Sequence, residues 1–312
     1  MALVRYIPVD TKYQFMRHRR WSFPLSALLS ILAVAAFFGL GMNFGIDFRG
    51  GTLVEMQSRA GPADIAQIRQ DAAALGFGQV EVQQFGTDRD VAVRVQLQDG
   101  GEEVQQLVVQ QLRAAFEADY EFRRVEVVGP RVSGELVQSG TLGVVAAILA
   151  VLVYLWFRFE WHFAVGAVIA TLHDLVLTIG FFAVTQLEFN MTSIAAILTI
   201  LGYSLNDTVV VYDRIREMLR KYKRVGVNEV LDIAINATLS RTFLTSVTTL
   251  LALLALAALG GEVIKGFAYA MIFGLVIGTY SSIFIAAPVL IYLGVRQSGE
   301  FAVTDAQTQP AE

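Results

Sequence analysis

Six long apolar runs constrain this chain more than any single motif does. Each is about 20 residues long, the length that an α-helix needs to cross the hydrocarbon core of a bilayer. With 55% hydrophobic and 17% charged residues, the chain is too apolar for a soluble protein with a polar coat. The pattern predicts a polytopic α-helical membrane protein. The predicted spans are 23–42, 139–157, 163–184, 191–212, 242–259 and 267–293.

The basic residues sort by side of the membrane and predict the topology. Residues 1–22 carry five Lys or Arg residues, and the apolar run that follows is too long for a signal-peptide core and lacks a clean cleavage site. We therefore expect an uncleaved first span. Segment 213–241, predicted to be a loop, is also basic, whereas the connections 186–190 and 260–266 carry only Lys265. The positive-inside rule then places both termini and segment 213–241 in the cytoplasm, and the large polar segment on the opposite side of the membrane.

The tail, residues 294–312, is polar and acidic, and we expect it to be a disordered cytoplasmic segment. Basic tracts are confined to the cytoplasmic flanks, which argues against a nucleic-acid partner.

The long polar segment, residues 43–136, is predicted to be a periplasmic domain. It opens with the sequence GIDFRGG, whose motif residues are Gly45, Asp47, Arg49, Gly50 and Gly51, and the glycines allow tight turns. Apolar residues that alternate with polar ones predict strands, and apolar residues at helical spacing predict helices. The predicted order is βαββαβ, which is typical of a ferredoxin-like α+β domain. The predicted elements are strand 52–57, helix 62–75, strands 79–85 and 91–97, helix 102–117 and strand 122–128.

The polar segment carries no recognisable catalytic constellation. It has no histidine, nucleophile elbow or phosphate loop, so a binding or moving module is favoured over an enzyme. The whole chain lacks cysteine, and its three histidines are scattered. We therefore expect neither a metal site nor a cofactor.

The fourth predicted span contains Asn206 and Asp207 well inside an apolar run. An ionisable side chain at that depth costs about 2.5–3.5 kcal/mol on insertion scales, and such residues are functional by default. The alternative is a packing hydrogen bond from Asn206 and an Asp207 side chain that extends to the interface. We favour the functional interpretation.

Two further spans carry polar residues. His173 and Asp174 lie near the middle of the third span, where they could form either a static, neutral helix contact or a functional pair. In the fifth span, one helical face carries Arg241, Thr245, Thr248 and Thr249, and we expect that face to point into the bundle. Arg241 lies at the cytoplasmic boundary, roughly 9 Å from the depth of Asp207 by helix rise, so it could extend to the interface or pair with Asp207.

The sixth span repeats small residues at every fourth position. Such a stripe permits two helices to approach closely, and we interpret it as a packing surface. Its members are Gly266, Ala270, Gly274, Gly278, Ser282 and Ala286.

Several of these stretches resemble the SecF branch of the SecD/SecF protein-export family, a part of the RND superfamily. The resemblance extends from Arg17 to about Val295. It rests on GIDFRGG, VGPRVSGEL, LHDLVLTIG, LGYSLNDTVVVYDRIRE and SRTFLTSVTTLLALLALAALGG.

The resemblance implies a subunit that uses the proton-motive force to promote preprotein movement on the periplasmic side. It also implies several partners. A SecD-like subunit completes a bundle of six plus six helices, and the other implied partners are the SecYEG channel, the accessory proteins YajC and YidC, and an unfolded preprotein. By position, Asp207 and Arg241 match the residues implicated in proton coupling.

Two other functions remain open at the level of the sequence. The chain could be half of a proton-driven exporter of lipids or small molecules, although such exporters usually carry larger external domains. It could also be a passive scaffold of the translocase, although a scaffold has little reason to carry Asp207 in an apolar span.

Overall fold

A computed structural model describes residues 11–78, 80–260 and 262–296. The chain divides into two compact units, a membrane unit and an external unit. The membrane unit comprises the described parts of Met1–Gly41, Ala146–Leu187 and Ala195–Glu312, and the external unit comprises Met42–Val145 and Glu188–Ile194. Most of the predicted disordered tail lies outside the described residues.

The helices and strands follow one another along the chain as listed here. After a 3-10 turn at Phe15–His18, the helices are α1 (Arg19–Leu40), α2 (Ile46–Arg49), α3 (Ile65–Ala74), α4 (Gly101–Phe116), α5 (Pro130–Arg158), α6 (Trp161–Thr185), α7 (Met191–Lys221), α8 (Val227–Leu259) and α9 (Glu262–Ser281), which continues through a π-helical turn (Ser282–Ala286) into α10 (Ala287–Tyr292). The strands are β1 (Gly51–Ser58), β2 (Val80–Gln84), β3 (Asp90–Val95) and β4 (Tyr120–Val128).

Six of the described helical segments are long and apolar enough to cross a membrane. They contain α1, α5, α6, α7, α8 and the continuous segment from α9 to α10, in agreement with the six predicted spans.

One predicted boundary is wrong. Segment 213–241 is not a loop, because α7 continues to Lys221 and α8 already begins at Val227. Lys, Arg and Glu are good helix formers, so these charged helix ends need no apolar surroundings to stay helical.

The external unit contains one antiparallel sheet with the strand order β2-β3-β1-β4. This order, with α3 following β1 and α4 following β3, is the ferredoxin-like arrangement, which confirms the predicted α+β domain. The alternation of β3 buries Val91, Val93 and Val95, and α4 covers this core with Val108 and Leu112.

In the membrane unit, the third, fourth and sixth spans are the most deeply buried within the chain. Tyr212 of α7 is fully buried, and its hydroxyl donates a 2.9 Å hydrogen bond to the carbonyl of Ala286 in the π-helical turn. The buried core of this unit lies where α6, α7, α8 and the sixth span meet, and the polar side chains described next come from these helices.

Candidate functional site

Asp207 lies near the middle of α7, and hydroxyl groups from two other helices bind its carboxylate. Thr242 of α8 donates a 2.6 Å hydrogen bond to Oδ1, and Ser282 of the π-helical turn donates a 2.5 Å hydrogen bond to Oδ2. Among the described residues, no Lys or Arg forms a salt bridge with this carboxylate. The hydrogen-bond donors that contact this carboxylate are therefore neutral hydroxyl groups.

The other residue of the predicted coupling pair is Arg241. Arg241 immediately precedes Thr242 on α8, but its side chain is exposed. Asn206, which precedes Asp207 on α7, is exposed as well. The structure thus brings Thr242, rather than Arg241, to the carboxylate.

Within the single chain, Thr245 and Thr248 do not point into the bundle. Both are exposed, and their hydroxyls bond to carbonyls of their own helix, including that of Arg241 at 2.8 Å from Thr245. The side of α8 that faces the chain's other helices carries Thr242 and Ser246, whose hydroxyl lies 2.9 Å from that of Thr279. The polar threonines of this helix occupy more than one face, and the sequence pattern does not distinguish which of them is buried.

A second carboxylate, that of Asp174 on α6, is completely buried in the membrane unit. Its Oδ2 accepts hydrogen bonds from Ser204 of α7 at 2.5 Å and Ser281 of α9 at 2.7 Å. Its Oδ1 lies 2.9 Å from Nδ1 of His173, and Thr178 donates to its backbone carbonyl at 2.7 Å. Every carboxylate oxygen thus has a partner, as a buried polar group requires.

The two carboxylate sites meet on consecutive residues of the sixth span. Ser281 is the last residue of α9 and bonds to Asp174, while Ser282 is the first residue of the π-helical turn and bonds to Asp207. Successive residues of a helix point about 100° apart, so one turn of backbone can serve carboxylates on two different helices. π-Helical turns occur frequently at functional sites.

The small-residue stripe of the sixth span packs against α7 at two of its positions. A side chain at Gly274 would overlap Ile200, and a Cβ at Gly278 would lie 2.9 Å from the Cβ of Ser204. Ala270 and Ser282 are also buried, whereas the space around Gly266 is open. The close approach at Gly278 brings Ser204 to the helix that carries Ser281, and so supports the site around Asp174.

Within the external unit, the GIDFRGG motif binds the segment Glu188–Ile194. The amide of Gly45 donates to the carbonyl of Phe189 at 2.9 Å, and the carboxylate of Asp47 accepts a 2.9 Å hydrogen bond from the amide of Met191, the first residue of α7. Gly50 and Gly51 have φ angles of 71° and 120°, which favour glycine. Arg49 extends towards Glu81, at 3.7 Å.

An arginine of the sheet reinforces this attachment. Arg94 of β3 pairs with Glu188 at 2.7 Å and with Glu81 at 3.3 Å. Burial raises the pKa of the Glu188 carboxyl above its ordinary value, although the charge of Arg94 acts in the opposite direction. Because desolvation offsets much of the Coulombic attraction, we interpret this pair as one that fixes the position of the segment rather than one that adds much stability.

Sequence reasoning missed the residues that bind the two carboxylates. Thr242, Ser204, Ser281 and Ser282 are hydroxyl residues within apolar runs, and only Ser282 was noted, as a packing residue. The available signal was a hydroxyl residue inside an apolar run, because such a group needs a hydrogen-bond partner there. Arg94 and Glu188 gave no signal, since they lie far apart in the sequence on a strand and in a connection.

Two family models match parts of this chain. A model described as the C-terminal part of the protein export membrane proteins SecD/SecF matches residues 108–296, and a model of the SecD/SecF GG motif matches residues 35–60. The SecF protein translocase subunit of Rickettsia bellii is 44% identical over 292 residues, which cover 92% of this chain and 95% of that protein. The chain belongs to the SecD/SecF family of protein-export membrane proteins.

Longer SecD/SecF relatives contain the same region. The protein translocase subunit SecDF of Brucella abortus is 46% identical over 293 residues, which cover 94% of this chain but 39% of that protein. The crystal structure of SecDF from Thermus thermophilus, a translocon-associated membrane protein, matches with a TM-score of 0.82 and 34% identity over 94% of this chain and 40% of that chain. SecDF in a super-membrane-facing form has a TM-score of 0.69 at the same identity and coverage. The family predicted from the motifs is confirmed, and the chain spans about two fifths of these fused relatives.

Proposed function

We propose that the chain is a multi-pass inner-membrane subunit of the Sec translocase that uses the proton-motive force to promote preprotein translocation and release on the periplasmic side. Family membership supports a transport role in protein export rather than the export of lipids or small molecules. The distribution of Lys and Arg supports cytoplasmic termini and a periplasmic position for the external unit.

The proposed partner is a SecD-like subunit. In the SecDF relatives, the region similar to this chain is fused to further sequence within one polypeptide. The SecYEG channel, YajC, YidC and an unfolded preprotein complete the proposed set of partners, and these follow from the family resemblance alone.

The observation that carries the proposed mechanism is a carboxylate inside a membrane span that hydrogen-bonds to hydroxyl groups and forms no salt bridge with any described residue. Asp207 is bound by Thr242 and Ser282, both of them neutral. A carboxylate in an apolar environment is stabilised either by a nearby cation or by taking up a proton. Asp207 thus alternates between two states. In the protonated state its carboxyl group hydrogen-bonds to the hydroxyls, and in the ionised state it requires a counter-charge.

Arg241 is suited to supply that counter-charge. It is adjacent to Thr242, so a rotation of α8 by one residue spacing, about 100°, exchanges the threonine hydroxyl for the guanidinium. Each protonation state of Asp207 then favours a different position of α8, and a proton gradient that drives Asp207 through both states drives movement of the helix.

The test is the replacement of Asp207 by asparagine. Asp207→Asn retains the shape of the side chain and one acceptor oxygen but does not titrate, so we expect a complex that assembles and has lost proton-dependent stimulation of export. Arg241→Met should impair coupling as well, because the ionised state then lacks its counter-charge. The measurement is export of a slow preprotein from energised vesicles, with and without an uncoupler.

A matched control comes from the same helix. Asp213 also lies on α7, but it is exposed and paired with Arg158 at 2.7 Å. Asp213→Asn should therefore leave the response to the uncoupler unchanged. If vesicles with Asp207→Asn assemble normally and respond to the uncoupler as the wild type does, Asp207 is not the coupling residue.

A further inference from the structure

The side chains of Asp174 and His173 form an isolated ionisable pair in the interior of the membrane unit. Asp174 is fully buried and His173 is 8% exposed. The side chains that face the pair come from α7 and α9, namely Ser204, Ser281 and Tyr280, whose ring centroid lies 6.3 Å from that of the imidazole. Across the described chain, no Lys or Arg forms a salt bridge with Asp174.

From α1, the hydroxyl of Ser26 lies 2.9 Å from that of Tyr280, so this third neighbouring helix also presents a neutral group to the region. The charge of the pair is therefore set by protons alone. With one proton on Nδ1 of His173, the imidazole is neutral and the carboxylate carries one negative charge. A second proton makes the pair neutral overall, either as imidazolium with carboxylate or as imidazole with carboxylic acid.

The second ring nitrogen of His173 has an unused hydrogen-bonding position. Nε2 is buried, and it has no hydrogen-bond partner among the described residues. Most buried polar atoms in folded proteins have a partner, so an exception calls for an explanation. An unpartnered ring nitrogen next to a buried carboxylate is the place where the pair can accept its second proton.

The hydroxyls around Asp174 suit both charge states. Ser204 and Ser281 donate to the carboxylate, and a hydroxyl can also accept a hydrogen bond when the carboxyl group carries the proton. Ser281 is adjacent to Ser282, which donates to Asp207. The same helical turn of the sixth span therefore contacts both carboxylates, and a change of protonation at either one alters the hydrogen bonds of that turn.

From this geometry we infer that Asp174, with His173 as its partner, is a second proton-binding site of the coupling cycle, joined to Asp207 through Ser281 and Ser282. The inference rests on the proposed proton-coupled function and adds a residue pair to it. Proton uptake involves no other reactant, since one proton enters at His173 or Asp174 and the same proton leaves later in the cycle.

The test uses the full chain in complex with its SecD-like partner in phospholipid vesicles, with aspartate isotopically labelled at the side-chain carboxyl. Infrared difference spectra recorded as a function of pH detect the carbonyl stretch of a protonated carboxyl group. We expect Asp174→Asn to lose one such band that the wild type shows. We expect His173→Gln to keep the band but change the pH at which it appears, because the residue that shares the proton is gone.

Export measurements on the same vesicles separate this inference from the proposed function. Loss of the uncoupler response in both Asp174→Asn and Asp207→Asn supports the inference. Loss in Asp207→Asn alone, with the wild-type set of carboxyl bands retained in Asp174→Asn, overturns it and leaves the proposed function intact. A normal response in both variants overturns the proposed function as well.

A conservative variant covers the case in which Asp174→Asn does not assemble. Ser281→Ala removes one hydroxyl donor and leaves the carboxylate and its other partners in place. In the assembled complex, it should change the pH dependence of the same band. If neither Ser281→Ala nor His173→Gln alters the pH dependence of any carboxyl band, Asp174 has a structural role only.

Discussion

At the scale of single residues, hydroxyl groups rather than cations surround the intramembrane carboxylates of this protein. Two hydroxyls donate hydrogen bonds to the carboxylate of Asp207, and two others donate to that of Asp174. The carboxylate of Asp174 also forms a hydrogen bond with Nδ1 of His173. A permanent guanidinium partner would hold a carboxylate in its ionised state, because it favours the charged form. Serine and threonine can donate to a carboxylate or accept from a carboxylic acid, so they are compatible with a group that changes its protonation state.

The contribution of Thr242 can be tested with an isosteric substitution. Thr242→Val removes the hydroxyl that donates to Asp207 and leaves the volume nearly unchanged. The proposed cycle places this hydroxyl against the protonated carboxyl group. Loss of a hydrogen bond between neutral groups typically costs about 0.5–1.5 kcal/mol, so the protonated state of Asp207 becomes less accessible. We expect weaker stimulation of export by the proton-motive force, measured as the ratio of export rates without and with an uncoupler.

The control for this substitution is Thr199→Val on α7. Thr199 is exposed, and its hydroxyl bonds to the carbonyl of Ala195 in its own helix at 2.7 Å. This variant should keep the wild-type ratio. Equal ratios for Thr242→Val and the wild type would show that the hydroxyl has no part in coupling.

At the scale of helices and strands, close approach of the sixth span to α7 is what brings the site residues together. Gly278 lies against Ser204, and Ser204 binds Asp174. One turn earlier, Gly274 lies against Ile200. A larger residue at either position would separate the two helices, and the hydrogen bonds across them would lengthen.

Gly274→Leu should therefore destabilise the membrane unit. Inserting a large side chain into a packed interior costs typically about 1–3 kcal/mol, so we expect a lower thermal unfolding temperature and a lower yield of folded protein in detergent. Gly266→Leu is the matched control, since the same change on the same helix enters open space. Similar unfolding temperatures for both variants would contradict the packing at Gly274.

The elements differ in how well the sequence predicted them. The six spans and the ferredoxin-like order followed from apolar runs and from periodicity, because burial in lipid or in a sheet core dictates those patterns. Segment 213–241 was predicted as a cytoplasmic connection because its charges exclude it from the bilayer, but such exclusion ends only the membrane-buried part of a helix, and α7 and α8 continue into this segment. The side of α8 that faces the chain's own helices could not be predicted for a different reason: Thr242 and Thr245 are both threonines, and tertiary packing alone selects Thr242.

The attachment of GIDFRGG to segment Glu188–Ile194 could not have been predicted from local pattern. The glycines predicted turns, but the partners of Gly45 and Asp47 lie more than 100 residues further along the chain. Asp47 accepts from the amide of Met191, and α7 begins at that residue and carries Asp207. The motif therefore contacts the start of the helix on which coupling is proposed to occur.

At the scale of the whole molecule, polar side chains on the outer surface of the spans need a partner. Asn206, Arg241, Thr245 and Thr248 are all exposed in the single chain, on α7 and α8. Polar and charged side chains inside a membrane generally face other helices rather than lipid. We therefore expect the SecD-like subunit to cover this polar surface, which would place Arg241 and Thr245 inside a larger bundle as the sequence pattern predicted.

Single cysteines can test which surface the partner covers, because the natural chain contains none. We expect Thr245→Cys to react with a small maleimide in the detergent-solubilised free subunit and to be protected when the SecD-like subunit is co-purified. Leu142→Cys is the control, since Leu142 is 60% exposed on α5. Its labelling should be the same in both preparations. Protection at position 142 together with full labelling at position 245 would place the partner on α5 instead, and the polar surface of α7 and α8 would then need another explanation.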